Sequence, residues 1–223
     1  MTLTNWTSRP LPQRESLTGR YVSLVPLDPA AHTDSLYEAF EAPGAEDRFR
    51  YMAEAPMNKE DLALWIAGAS TTVDPLFFAV VDAQTGRAEG RQALMRVDAA
   101  HGVIEIGSIV WGPNLARTRG ATEAIFLFAD YIFGLGYRRL EWKCNDLNEP
   151  SKRAAKRFGF LYEGLFRQHF VIKGENRDTA WFSILDGEWP AIREAYVSWL
   201  AAENFDDDGQ QLSKLVTRSP QSL

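Results

Sequence analysis

The segment Arg117-Thr118-Arg119-Gly120-Ala121-Thr122-Glu123-Ala124 combines two guanidinium groups with small residues, between an expected strand and an expected helix. Free backbone N–H groups at a helix start form an anion site, and glycine lets a phosphate approach closely. Arginines beside such a site neutralise phosphate charge through paired hydrogen bonds. An ordinary surface loop with Thr122 as helix cap accounts for the same residues. Upstream, Glu105 falls mid-strand, and simple alternation puts it on one face with Val103, Gly107, Ile109 and Trp111. A half-buried carboxylate beside an anion site can act as a general base through water. A solvated or salt-bridged strand residue is the competing reading. Gly107 either admits a ligand or marks a bulge.

Other reactive side chains are sparse. The single cysteine, Cys144, lies on a strand alternating Leu140, Trp142, Cys144, which places it in a core and not as a nucleophile. It cannot form an intramolecular disulfide, and His32, His101 and His169 are too scattered to give metal-ligand spacing, so no metal is expected. His169 is either a proton shuttle or a structural histidine.

These groups must be held by a chain of 223 residues, enough for one domain with its own core. Hydrophobic residues at 45% exclude a disordered chain. A formal net charge of −6 argues against a nucleic-acid partner. Within that acidic total, residues 117–167 carry more Lys and Arg than Asp and Glu, which suits a small phosphorylated ligand. The longest apolar stretch, Ala124 to Leu135, contains Asp130 and is too short to span a bilayer, and Met1 to Arg20 has no signal-peptide core. A cytoplasmic protein with no membrane partner is expected.

The hydrophobic pattern predicts a strand over Arg20–Leu27 and a helix opened by Pro29, then a second helix capped by Asn58. Three antiparallel strands follow at Leu76–Val81, Arg91–Val97 and Val103–Trp111, then a buried helix over Ala121–Gly134. A strand at Leu140–Cys144, a helix from Asn148, a hairpin of Phe160–Ile172 with Thr179–Leu185, and a helix over Trp189–Glu203 complete the order. The fold class is α+β (mixed α/β). Residues 1–19 are expected to be a lead-in, 20–204 the single domain, and 205–223 an acidic, mobile tail.

Several pieces then stand in a specific order: Glu105-Ile106-Gly107, the loop ending Ala121-Thr122-Glu123-Ala124, and Leu135-Gly136-Tyr137-Arg138-Arg139. Asn145-x-x-Asn148-x-x-Ser151, Arg157-Phe158-Gly159-Phe160 and Glu163-Gly164 follow. Over Leu17 to Leu185 this arrangement resembles the GNAT acyltransferase superfamily, within it the RimJ/RimL-like branch. The family's phosphate loop has glycine where Arg119 stands, with Gly120 one position later.

The resemblance implies a mostly antiparallel, splayed sheet flanked by helices, and an N-acyltransferase that uses acetyl-CoA. The pyrophosphate is expected on the amides of Arg117, Thr118, Arg119, Gly120, Ala121 and Thr122, with the pantetheine arm beside Ile109, Val110 and Trp111. Ser151 matches the family's proton donor to the departing thiolate; a common first-turn serine is the other reading. Asn148 would bind pantetheine amides or cap its helix, and Asn145 would share the groove or shape the loop. Arg50 and Tyr51, with His169, fall where the family places its acceptor wall. The acceptor is expected to be a primary amine of a small molecule, an amino-acid derivative or a peptide N-terminus, the assembly a homodimer. A succinyl donor, with Arg50 as its cationic partner, and a non-catalytic acyl-CoA-binding module suggested by Arg119 are the alternatives.

Overall fold

The computed structural model describes residues 3–218. Its centre is one eight-stranded sheet: β1 (Leu17–Thr18), β2 (Val22–Pro26), β3 (Leu76–Asp82), β4 (Ala88–Asp98), β5 (Val103–Trp111), β6 (Arg139–Asn145), β7 (Leu161–Ile172) and β8 (Glu175–Leu185). The order across the sheet is β1-β2-β3-β4-β5-β6-β8-β7. Every neighbouring pair is antiparallel except β5 and β6, which are parallel because a helix crosses over between them.

That helix is α4 (Arg119–Gly134). Ala121, Ile125, Phe128 and Ile132 recur at helical spacing, and with the C-terminal helix α6 (Trp189–Leu200) they cover one face of the sheet. The Phe128 ring packs edge-on against Phe78, with centroids 5.2 Å apart. The opposite face carries α1 (Pro29–Glu41), the short α2 (Ala45–Phe49) and α3 (Lys59–Ala69), whose Leu36, Phe40, Leu62 and Ile66 pack on Phe77, Ala79, Ala93 and Val110. Asp28 and Asn58 cap α1 and α3 by accepting the amides of Ala31 and Asp61, each at 2.8 Å. The remaining α-helix, α5 (Glu149–Arg157), follows β6. No helix among the described residues is long and apolar enough to cross a membrane.

Three expectations from the sequence are corrected. Helix α4 begins at Arg119, before Ala121, because Thr118 is the cap: its hydroxyl accepts the Ala121 amide at 3.3 Å. Strand β5 does not keep one face. Gly107 lies opposite Ala93 but Val110 opposite Arg91, and Ser108 between them has φ +50. This bulge reverses the alternation, so Ile109 and Trp111 turn to the α4 side while Glu105 stays on the other.

Nor do residues 205–218 form a loose tail. Phe205 packs edge-on against Trp199 (5.0 Å) and Tyr21 (5.8 Å), Leu215 is buried, and Arg218 donates to the Gly159 carbonyl at 2.7 Å. The acidic run is absorbed locally, since Asp206 accepts the amides of Asp208 and Gln210. The expected tail residues 219–223 lie outside the described residues. The sheet likewise begins inside the expected lead-in, at Leu17, and Trp6 donates its indole N–H to the Ala100 carbonyl at 2.7 Å.

Candidate active site

Strands β5 and β6 pair only through Val103, Ile104 and Glu105 against Arg139, Leu140 and Glu141. Beyond those residues they splay, and β5 offers an unpaired backbone edge to a cleft of about 890 Å³. The bulge that starts the splay is held from behind. Arg91, 1% exposed, donates to the Ser108 hydroxyl at 2.6 Å and pairs with Glu54. Its guanidinium lies 4.1 Å from the Trp65 ring centroid. Burial pulls this guanidinium below its ordinary value, and Glu54 opposes the shift.

On the α4 side, the cleft is lined by Ile109, Trp111, Arg117, Trp142, Asn148 and Ser151. The amides of Arg119 and Gly120, at the start of α4, have no protein partner among the described residues. Arg117, at φ +67, lines the cleft. Arg119 does not: its guanidinium lies over Tyr21 (4.4 Å) and Phe205 (5.2 Å). Gly120 serves packing, because a Cβ there would sit 2.9 Å from the Val22 side chain. Ala121 and Thr122 are buried, and Thr122 accepts from Arg157 at 3.0 Å. Val110 is turned into the α1–α3 core, so its side chain is outside the cleft.

Ser151 stands in the first turn of α5, where Asn148 caps the helix by accepting the Ser151 amide at 3.1 Å. The Ser151 hydroxyl accepts the Trp142 indole N–H at 3.0 Å. Asn145 accepts the Leu147 amide at 2.9 Å and so shapes the β6–α5 loop while lining the cleft. Burial pushes the Cys144 thiol up, as a core cysteine requires. This wall fits an acyl-CoA. It offers free amides and a guanidinium for phosphate, an apolar strip, an unpaired strand edge for the pantetheine amides, and the buried Trp111 indole N–H, which has no partner among the described residues.

The opposite wall is charged. Glu105, 5% exposed, meets Lys143 at 2.9 Å and Arg96 at 3.1 Å, and Lys143 also meets Glu141 at 2.9 Å. Burial pushes the Glu105 carboxyl above the ordinary carboxylate range, against the pull of Lys143 and then Arg96. Lys143 also sits 3.7 Å from the Trp181 ring centroid. Above them, the α2–α3 connection roofs the cleft. Tyr51 donates to the Leu147 carbonyl at 3.1 Å, and exposed Arg50 pairs with Asp47 at 2.9 Å. His169 packs on Phe170, with centroids 3.8 Å apart, and is not in the cleft lining. Desolvation, then Arg96, Arg177 and Lys143, hold its imidazole below the ordinary value.

The cleft therefore brings together Glu105, Ile109, Trp111, Arg117, Asn145, Asn148, Ser151, Arg50 and Tyr51. It leaves out the side chains of Val110, Arg119, Ala121, Thr122 and His169. Sequence reasoning missed Arg91, Trp142, Lys143, Arg177 and Thr179. One signal was available: Arg177, Thr179 and Trp181 alternate with apolar Ala180 and Phe182 on one strand, so a polar stripe faces inward.

The sheet splays beside a helix N-terminus, with Ser151 and Glu105 facing the gap, in keeping with the mixed α/β, splayed-sheet fold the resemblance implies. The family model described as "Acetyltransferase (GNAT) domain" matches residues 22–161. The chain belongs to the GNAT acetyltransferase family. It is 56% identical to a GCN5-related N-acetyltransferase from Brucella melitensis, with a TM-score of 0.94 over 96% of this chain and 97% of that one. A probable GNAT-family acetyltransferase from Chromobacterium violaceum is 38% identical, with a TM-score of 0.79 over 86% and 96% of the two chains. An uncharacterized N-acetyltransferase p20 from Bacillus licheniformis is 30% identical over 117 residues, 50% of this chain. The match spans 63% of that curated relative's length.

Proposed function

We propose that the protein transfers an acetyl group from acetyl-CoA to a primary amine by direct attack, within the RimJ/RimL-like branch of its family. The observation that carries this reading is that Ser151 and Glu105 line one cleft from opposite faces of the splayed sheet. Acetyl-CoA, when bound, supplies an activated thioester, so no protein nucleophile is needed. The chain then has three tasks: orientation, proton removal and proton supply. Arg117 and the first amides of α4 hold phosphate, and the free edge of β5 holds the pantetheine arm. Glu105 accepts the amine proton through water. Ser151 accepts its hydrogen bond from Trp142 and keeps its own proton to donate to the departing thiolate.

The idea of a binding-only module rested on Arg119 in a glycine position. Its guanidinium lies over Tyr21 and Phe205, so the arginine side chain stays out of the cleft. The test is thiol release from acetyl-CoA and succinyl-CoA over a panel of primary amines. Turnover with acetyl-CoA that disappears in Ser151→Ala supports the reading. Tight acetyl-CoA binding with no thiol release from any amine defeats it.

A further inference from the structure

Among the described residues, the charged wall of the cleft has one cation left over. Arg96 and Lys143 are committed to Glu105 and Glu141, at 2.9 to 3.1 Å. Arg177 also lines the cleft, yet its guanidinium makes no ion pair and no hydrogen bond among the described residues, and its Nε is buried without a partner. The Phe170 ring, 5.6 Å from the guanidinium, supplies no acceptor. Two residues along the same face of β8, Thr179 is 0% exposed, lines the cleft and has a hydroxyl with no partner among the described residues. Buried donors left without acceptors cost about 1–3 kcal/mol each, so a pair of them beside a cleft marks a place where a ligand supplies the acceptors.

Residues i and i+2 of a strand have their Cα atoms about 7 Å apart and project to the same face, so one carboxylate can take a guanidinium N–H with one oxygen and a hydroxyl with the other. They lie on the Glu105 side of the sheet. Register fixes this: Thr179 pairs with Asn145 and Trp181 with Lys143, and Lys143 meets Glu105. Ser151 and Trp142 belong to the other side, where the acyl-CoA wall lies. Burial holds the Arg177 guanidinium below its ordinary value, and the nearby Cys144 and then Glu105 oppose that shift. One wall thus offers an anion for an ammonium and an unpaired cation for a carboxylate.

The geometry points to an acceptor that carries a carboxylate close to its reactive amine, a free amino acid in chemical class, held by Arg177 and Thr179. This inference rests on the acetyl-transfer reading and narrows it, by excluding amines that are cationic only. A carboxylate could also enter on the acyl chain, so the test crosses both substrates.

Standard α-amino acids, each paired with its carboxamide, are assayed with acetyl-CoA and with succinyl-CoA. The expected result is a kcat/KM about tenfold or more higher for a free acid than for its carboxamide, with acetyl-CoA as donor. Arg177→Met should reduce that ratio to within about twofold, and Thr179→Val should reduce it in part, both with acetyl-CoA KM unchanged. Arg177→Lys, which keeps the charge but not the fork, should retain an intermediate ratio. Carboxamides used as well as acids by the unaltered protein overturn the inference, as does Arg177→Met with its discrimination intact. A succinyl preference that Arg177→Met abolishes moves the carboxylate to the donor and also overturns it. If no amino acid is acetylated, the inference fails. Acetyl-CoA calorimetry and release with other amines then report separately on the acetyl-transfer reading.

Discussion

The Ser151 hydroxyl accepts the indole N–H of Trp142 at 3.0 Å, across the gap between α5 and β6. A hydroxyl that accepts from a fixed donor is oriented, and its own proton remains available to a third group. Serine in a first helical turn needs no such arrangement to serve the helix, because Asn148 already caps it. Ser151→Ala is therefore expected to lower kcat by about a hundredfold with acetyl-CoA KM unchanged. It should also cost about 1–2 kcal/mol, because the Trp142 N–H loses its acceptor. Steady-state kinetics and urea denaturation of the same preparation separate the two effects.

Glu105 gives a pH prediction with a defined sign. Its carboxyl is raised chiefly by burial, so its proton is held at pH values where an exposed glutamate has lost it. As a base it must be ionised. Activity should therefore fall as pH drops through a value above the ordinary carboxylate range, and Glu105→Gln should flatten that limb of the kcat/KM profile. The linked stability runs the other way. For a group whose folded value is raised, the favourable contribution is complete below the unfolded pKa and is lost as pH rises through the folded value. A pH-rate profile with the acid limb unchanged in Glu105→Gln assigns the base elsewhere.

The core elements were legible because periodicity reports burial. Ala121, Ile125, Phe128 and Ile132 announce α4, and the apolar run of β3 announces a central strand. Ser151 was legible only through its match to a known arrangement, since its partner Trp142 is set by β6 packing against α5. The face of Ile109 and Trp111 was not legible. It depends on Ser108 adopting φ +50, which a serine rarely does without an imposed constraint, and that constraint is Arg91 from the neighbouring strand. Arg177 was missed for a similar reason. Its importance lies in having no partner, and a missing partner is a property of three-dimensional surroundings.

Two arginines two residues apart should behave differently. Arg117 lines the cleft beside the start of α4, whereas Arg119 is stacked on Tyr21 and near Phe205. Arg117→Gln is expected to raise acetyl-CoA KM by about tenfold, in line with one lost charge-assisted hydrogen bond, with the gap narrowing at high salt. Arg119→Gln should leave that KM within about twofold and lower stability by about 1 kcal/mol through the lost cation–aromatic contacts. Steady-state kinetics with acetyl-CoA at two ionic strengths check the KM values, and urea denaturation checks the stability of Arg119→Gln. A larger KM effect in Arg119→Gln would return its side chain to the phosphate site.

The last prediction concerns Arg91, which touches no expected substrate. It ties the bulge at Ser108 to Glu54 in the roof of the cleft, so the strand that splays and the segment that covers the splay share one buried cation. Breaking a buried pair leaves its partner charge uncompensated, and Arg91→Met should cost about 3 kcal/mol. Arg91 and Glu54 replaced together by apolar residues should recover part of that loss, because no charge is then stranded. If the pair only served stability, the double variant would regain activity along with stability. If it holds the bulge, kcat should stay depressed in the double variant, because Ser108 still lacks its guanidinium donor and the edge of β5 is no longer held open. Denaturation midpoints and kcat measured on the single and double variants distinguish these outcomes, and the second is the one expected from the 2.6 Å contact between Arg91 and Ser108.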